Sequence, residues 1–457
     1  MYKIFGIQFI FSIITSATFM MIFDSAQSAS FGLVLGLTII WIGYLGLNII
    51  KQSWSKEVQG QALTAIVYVA LTIYIGQAFY LDYISRAPIP LKPLPEISIQ
   101  ELKNNGASVV KLKNWMDEHI GYNTYPSLQI AISDNSNVIF SYTAGNPEHL
   151  SQKDSAIYPV ASVSKFFTNL LCIKLSEEGV LDLDAPLIQY LPENINISPQ
   201  PDLGKKITIG MLMTHMSGLV RSPGVIRSND NAYRDLEIDR VYKRLSEEEL
   251  RFKPGTDRSY SNLGSGILGI VIQKVSKQSY EELIQSHFAK PLGMKDTYIL
   301  DYTNPEQQQR LTKPHIAGLG SPIESQPVLR KRLIGSGGVV TTAHNLSILG
   351  STILTAKNLN VSQERYDQYL SPISYRNEDG SLGKKSPHTL ISRTQNIDKA
   401  GTCFNKNGGR KGVSAYLIIC PDIGVSIGIT ANRSVRPYEG SPDQIGDILM
   451  QALSSQN

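Results

Sequence analysis

The chain has 457 residues and a formal net charge of +4, with 42% hydrophobic and only 18% charged residues. That charged fraction is below the roughly 25% usual in soluble domains, and the deficit sits at the front, where residues 1–81 hold only Lys3, Asp24, Lys51, Lys56 and Glu57. The asymmetry argues against a uniformly soluble or disordered chain, and the lack of a dense Lys/Arg cluster argues against nucleic-acid binding.

Three charge-free stretches, Ile4–Phe23, Phe31–Ile50 and Ala62–Leu81, each run about 20 residues, the length that spans a hydrocarbon core. They predict a membrane anchor of three transmembrane helices over residues 1–81, with the lipid bilayer as a partner. Lys3 precedes the first stretch, and Lys51 and Lys56 lie between the second and third. Lysines on the cytoplasmic side put everything after Leu81 outside. Cleavage at Ala26-Gln27-Ser28, the signal-peptide reading of the first stretch, leaves that orientation unchanged. The expected location is the inner membrane of a bacterium, multi-pass, with the main domain on the periplasmic or extracellular side. Residues 82–99 form a linker; four prolines within 86–96 make it a stiff, extended spacer.

From 100 to 457 the pattern is globular. A helical stretch, Ile99–His119, precedes two alternating runs, Leu128–Ser133 and Val138–Ala144, joined by a turn at Asp134–Asn137 that signals a hairpin. A helical, loop-rich middle follows from about 160 to 300. Strand-like runs then recur at Thr389–Thr394, Val413–Cys420 and Val425–Ala431, before a helix near Gln444–Leu453. Strands at both ends with helices between predict an α+β fold, an antiparallel sheet flanked by helices with an inserted all-helical subdomain. Three cysteines are too few for a disulfide scaffold; Cys172 reads as a helix-core residue, and pairing of Cys403 with Cys420 is left open. The seven histidines show no paired-ligand pattern, so neither a metal nor another cofactor is expected.

Chemistry enters with Ser162-Val163-Ser164-Lys165. The same Ser-x-x-Lys spacing occurs at Ser53/Lys56, Ser108/Lys111 and Ser381/Lys384, but only the copy at 162 opens a strongly apolar helical run, Phe166 to Leu175. A serine and a lysine at i and i+3 share one helix face. The serine amide lies at the positive end of that helix, where an oxyanion is stabilised. A second motif, Tyr260-Ser261-Asn262, places a phenol and an amide two residues apart, both able to face one cleft, the phenol to relay a proton and the amide to hold a carbonyl. The third is Lys399-Ala400-Gly401-Thr402, followed by a glycine-rich connection, Asn407–Gly412. A lysine beside a glycine at a strand start approaches a substrate backbone closely and adds positive potential.

In this order and spacing the three motifs resemble the serine β-lactamase and penicillin-binding-protein superfamily, in particular the branch of class C β-lactamases, D-stereospecific peptidases and related esterases. Thr214–Leu219, Lys290–Met294 and Gly335–Gly338 look like the same family, and the resemblance covers roughly 100–454. It implies Ser162 as acylated nucleophile, Lys165 as its activating partner, Tyr260 as proton shuttle, Asn262 as substrate orienter and Lys399 as electrostatic support. The oxyanion hole would be the N–H groups of Ser162 and Thr402, beside Gly401. The expected function is a serine hydrolase acting through an acyl-enzyme on a cell-wall D-peptide, a β-lactam or a small ester. The alternative is an acylatable sensor of cell-wall fragments or β-lactams that signals through the membrane helices. Protein partners are left open. Ala400 stands where the family usually has Thr or Ser, a departure expected to weaken recognition of substrate carboxylates.

Overall fold

The computed structural model describes residues 91–120, 125–145 except 136, 156–222, 238–300, 304–316, 323–324, 333–410 except 378, 412–433 and 440–453. The chain divides into two units, Met1–Ala87 and Pro88–Asn457. The three apolar segments at 4–23, 31–50 and 62–81 lie outside the described residues, and among the described residues no helix is long and apolar enough to cross a membrane.

The main sheet is assembled from both ends of the second unit. Helix α1 (Ala107–His119) leads into strands β1 (Ser127–Asp134) and β2 (Asn137–Gly145), and Asn135 takes the left-handed φ of 46° that lets the hairpin turn. The late strands are β3 (Arg393–Ile397), β4 (Gly401–Arg410), β5 (Val413–Cys420) and β6 (Val425–Ala431). All six pair antiparallel in the order β3-β4-β5-β6-β1-β2, and β1 joins β6 with Ile130 opposite Ile429. Period-two alternation gives β5 two buried faces. Tyr416, Ile418 and Cys420 face a core shared with Leu112, Trp115 and Met116 of α1 and with Ile445, Leu449 and Met450 of the C-terminal helix. Ala415, Leu417 and Ile419 face the larger core of the helical middle.

That middle contains α2 (Ser164–Glu177), α3 (Asn262–Ser276) and α4 (Ala343–Ser351); the C-terminal helix is α5 (Pro442–Leu453). It is not wholly helical. Tyr158–Pro159, Val339–Thr341 and Tyr298–Ile299 form a three-stranded sheet within it.

Other differences from the sequence reading have local causes. Ile99–His119 is two helices, Ile99–Lys103 and Ala107–His119, because Asn105 adopts φ 56° and breaks the run. The spacer is not extended away from the domain at its end: Ile97 N–H donates to the Ala452 carbonyl at 3.1 Å and Trp115 Nε1 to the Lys92 carbonyl at 3.1 Å. The strand expected at Thr389–Thr394 is instead Arg393–Ile397. The glycine-rich connection is strand β4, which owes its conformation to pairing with β5 and not to its own residue preferences. Cys403 and Cys420 are joined by a disulfide next to the Phe404–Ile419 pair of that ladder.

Candidate active site

The site begins where the chain enters α2. Val160 N–H donates to the Val339 carbonyl at 3.2 Å, and Ala161 then takes a left-handed φ of 46°. A non-glycine residue is held in that region at a cost of about 1–3 kcal/mol, a device common where a reactive group must be aimed. Ser162 follows in the short turn Ala161–Val163 that feeds the helix.

Lys165, one turn on, is 2% exposed. Its ammonium donates to Asn262 Oδ1 at 2.9 Å and to the Ser336 carbonyl at 2.7 Å, and reaches Ser162 Oγ at 3.4 Å. The Tyr260 hydroxyl donates to Ser162 Oγ at 2.6 Å. Ser261 caps α3 by accepting from Gly264 N–H, so Asn262 opens that helix facing Lys165. The segment before α3 is braced by His215, itself at φ 64°, whose ring lies 4.6 Å from that of Tyr260. Ser261 N–H donates to His215 Nδ1 at 3.3 Å. Burial first, then the charges of Lys406, Lys165, Arg258 and His388, push His215 well below the ordinary imidazole range. His215 is therefore neutral, with its proton on Nε2.

Strand β4 closes the other side. Lys406 Nζ lies 5.1 Å from the centre of the Tyr260 ring, and burial, followed by the charge of Arg258, lowers its pKa to about 8. Lys165 at 4.9 Å and Arg221 at 5.1 Å from the same centre complete a ring of three cations. Gly408 sits against the nucleophile turn: a Cβ there would lie 2.2 Å from the Val160 carbonyl oxygen and 3.1 Å from Ser162 N. Gly408→Ala should therefore fold but displace Ser162. A shift of about 1 Å predicts a loss of about 10²-fold in kcat/KM, with circular dichroism unchanged.

The register adds a further point. β4 and β5 are closed by a two-residue loop between Arg410 and Val413. In such a hairpin the flanking pair exchanges hydrogen bonds, and alternate residues turn their amides to opposite edges. Lys406 and Gly408 thus point their amides at β5, while Asn407 and Gly409 point theirs away. On that outer edge β3 pairs only as far as Asn405.

The structure brings Ser162, Lys165, Tyr260 and Asn262 together and leaves Lys399, Gly401 and Thr402 apart from them. Lys399 is an exposed residue at φ 64° before β4 begins. Ala400 is fully buried in the core that α1 and α5 share. Thr402 N–H donates to Asp422 Oδ2 at 3.1 Å, so it is not an oxyanion donor for Ser162. Six residues of strand separate Thr402 from Gly408, about 20 Å. The expected roles of Lys399, Gly401 and Thr402 are corrected accordingly: Lys406-Asn407-Gly408-Gly409 occupies the place assigned to Lys399-Ala400-Gly401-Thr402. Ala400 consequently does not set substrate recognition; Asn407 stands at the corresponding position. The signal was present in the sequence, since Lys406-x-Gly408 directly precedes the run Val413–Cys420. Two of the three further family-like stretches also resolve into contacts, His215 backing Tyr260 and the Ser336 carbonyl holding Lys165, while the third, Lys290–Met294, turns at Gly293 with φ 68°.

A cleft of about 870 Å³ opens beside these residues, lined by Lys165, Tyr260 and Lys406, the first two of which contact Ser162 Oγ. Among the described residues no group of three or more His, Cys, Asp or Glu side chains is placed to hold a metal ion.

Comparison with known proteins follows the same lines. Residues 112–449 match the family model described as Beta-lactamase. The chain is 27% identical over 281 residues to Protein flp of Staphylococcus aureus strain MW2, covering 60% of this chain and 52% of that protein. It is 31% identical over 221 residues to the D-alanyl-D-alanine-carboxypeptidase/endopeptidase AmpH of Escherichia coli K12, covering 47% and 53%. The chain thus spans about half the length of the curated relatives it matches. Among solved structures, the octameric penicillin-binding protein homologue from Pyrococcus abyssi superposes with a TM-score of 0.61 at 22% identity, over 76% of this chain and 78% of that one.

Proposed function

The chain belongs to the beta-lactamase family, and on that premise we propose that it is a serine hydrolase forming an acyl-enzyme on Ser162 with an amide or ester substrate. The observation that carries the reading is the convergence on Ser162 Oγ of the Tyr260 hydroxyl at 2.6 Å and the Lys165 ammonium at 3.4 Å. Lys165 faces three acceptors, Asn262 Oδ1, the Ser336 carbonyl and Ser162 Oγ. A neutral amine has only two protons to donate, so this setting suits the ammonium and leaves Tyr260 to take the serine proton. The cations around its ring stabilise negative charge on the phenol oxygen.

Tyr260 first gives up its own hydroxyl proton to solvent; as Oγ attacks the acyl carbon the phenolate takes the serine proton and passes it to the leaving amine or alcohol, which departs as the carbonyl reforms on Ser162. Water then repeats the sequence with Tyr260 as base, releasing the acid and restoring the serine. The N–H groups of Ser162 and Gly409 flank the acyl oxygen in both steps, and Asn262 orients the substrate.

The substrate is a cell-wall D-peptide, a β-lactam or a small ester; similarity to the D-alanyl-D-alanine-carboxypeptidase/endopeptidase of Escherichia coli favours the D-peptide. Residues 1–81 anchor the chain in a bacterial inner membrane with the hydrolase domain outside. The Cys403–Cys420 disulfide supports an oxidising compartment. The test is release of p-nitrophenol from an activated ester by the full chain in detergent. A burst of one equivalent followed by steady turnover supports the hydrolase, and no release contradicts it. A burst with negligible turnover moves the reading to the acylatable sensor.

Lys406 gives the reading a pH signature. Its charge is lost as pH rises through about 8 instead of the ordinary 10.5. Between those values the unfolded chain binds more protons than the folded one, so this group makes folding stability rise with pH across that window. Turnover moves the opposite way: kcat/KM should fall through a basic limb near pH 8, and Lys406→Arg should shift that limb upward.

A further inference from the structure

Strand β4 divides into two halves. Gly401–Asn405 is flanked by both β3 and β5 and carries Cys403, bonded to Cys420 of β5. Lys406–Arg410 pairs with β5 alone, because Arg393, opposite Asn405, is the first residue of β3. The chemistry belongs to this second half, and it depends on register. Phe404, Lys406 and Gly408 face the helical core, the Tyr260 ring and the nucleophile turn. On the other face, Cys403 lies in the core shared with α1 and α5, and Asn407 donates to Asp443 Oδ2 at 2.8 Å. A slip of one residue exchanges the two faces. It would set Asn405 or Asn407 against Tyr260 and turn Lys406 toward α5.

The second half has little of its own to resist such a slip. Gly408 and Gly409 offer no side chains to pack, and a glycine pair takes up an extra, bulged residue at small cost. Yet seven consecutive pairs, from Phe404–Ile419 to Arg410–Val413, run without a bulge. Two features bracket them: the two-residue loop at one end and the disulfide at the other. Counted back from Arg410, Cys403 falls at a non-hydrogen-bonded position, where facing side chains come closest. Both cysteines are fully buried, so their pairing belongs to folding and not to later exchange with solvent thiols.

We propose that the Cys403–Cys420 disulfide is a positioning pair that pins the register of the catalytic strand, so that the chain becomes a competent hydrolase only when the two thiols are oxidised. Pairing takes two protons and two electrons from the thiols; a disulfide oxidant accepts both and leaves as two thiols. The proposal rests on the hydrolase reading and adds a redox condition to it.

The test refolds the full chain in detergent, with dithiothreitol or with oxidised glutathione, and measures kcat/KM for an activated ester. The oxidised chain should exceed the reduced one by about 10²-fold, the scale of a displacement of about 1 Å at the site. Cys403→Ala/Cys420→Ala should match the reduced chain under both conditions, with circular dichroism unchanged. A purely stabilising bridge would leave the pH profile alone. Here the basic limb near pH 8 should move up toward 10.5 in the double variant, as Lys406 loses its burial. Folded, reduced chains with wild-type turnover and an unmoved limb overturn the proposal. So does failure of both the reduced chain and the double variant to fold, since the bridge would then hold the domain and not the strand. Should the oxidised chain turn over no ester, the hydrolase reading fails by itself. Amide exchange then decides: faster exchange in Lys406–Arg410 without the bridge supports the pin, and equal protection overturns it.

Discussion

Lys406→Ala lowers kcat/KM for an activated ester by about 10²–10³-fold, the range seen when one preorganised electrostatic contact to a transition state is removed. Lys399→Ala stays within about twofold, as expected for an exposed surface side chain. The contrast follows from position. Lys406 stands 5.1 Å from the Tyr260 ring centre, on the strand whose Gly408 touches the nucleophile turn. Lys399 lies before that strand begins, in a stretch whose Thr402 is tied to Asp422. Steady-state kinetics on the two variants decide the matter. A large loss in Lys399→Ala with a small one in Lys406→Ala would return the lysine motif to residues 399–402.

Ser162→Ala removes the attacking oxygen, and turnover falls by about 10⁴-fold or more, as for other hydrolases stripped of their nucleophile. The fold survives the change. Lys165 keeps its contacts to Asn262 and Ser336, so urea unfolding should shift by less than about 1 kcal/mol. Turnover near that of wild type, with the stability unchanged, would remove Ser162 from the chemistry.

What the sequence made legible divides along physical lines. Ser162, Lys165, Tyr260 and Asn262 were readable because short-range geometry places them: a helix sets the first pair, and a segment leading into a second helix sets the other. Strands β5 and β6 were readable because both faces are buried and most of their residues are apolar. β4 was not. Its Asn407-Gly408-Gly409 run has the composition of a turn, and its extended conformation comes from partners far along the chain. The preceding copy of Lys-x-Gly, at 399–401, looked equally good in one dimension, and only the register of β4 against β5 separates the two by about 20 Å. His215 and Ser336 act through a ring tilted against Tyr260 and a backbone carbonyl facing Lys165, contacts that no local pattern encodes.

The most direct measurement is the intact mass of the full chain quenched during turnover of an activated ester, followed by peptide mapping. The account predicts a single acyl group per chain, carried on the peptide that contains Ser162 and absent from Ser162→Ala. Hydrolysis by a chain that never becomes acylated, or an acyl group mapped to another residue, would contradict it.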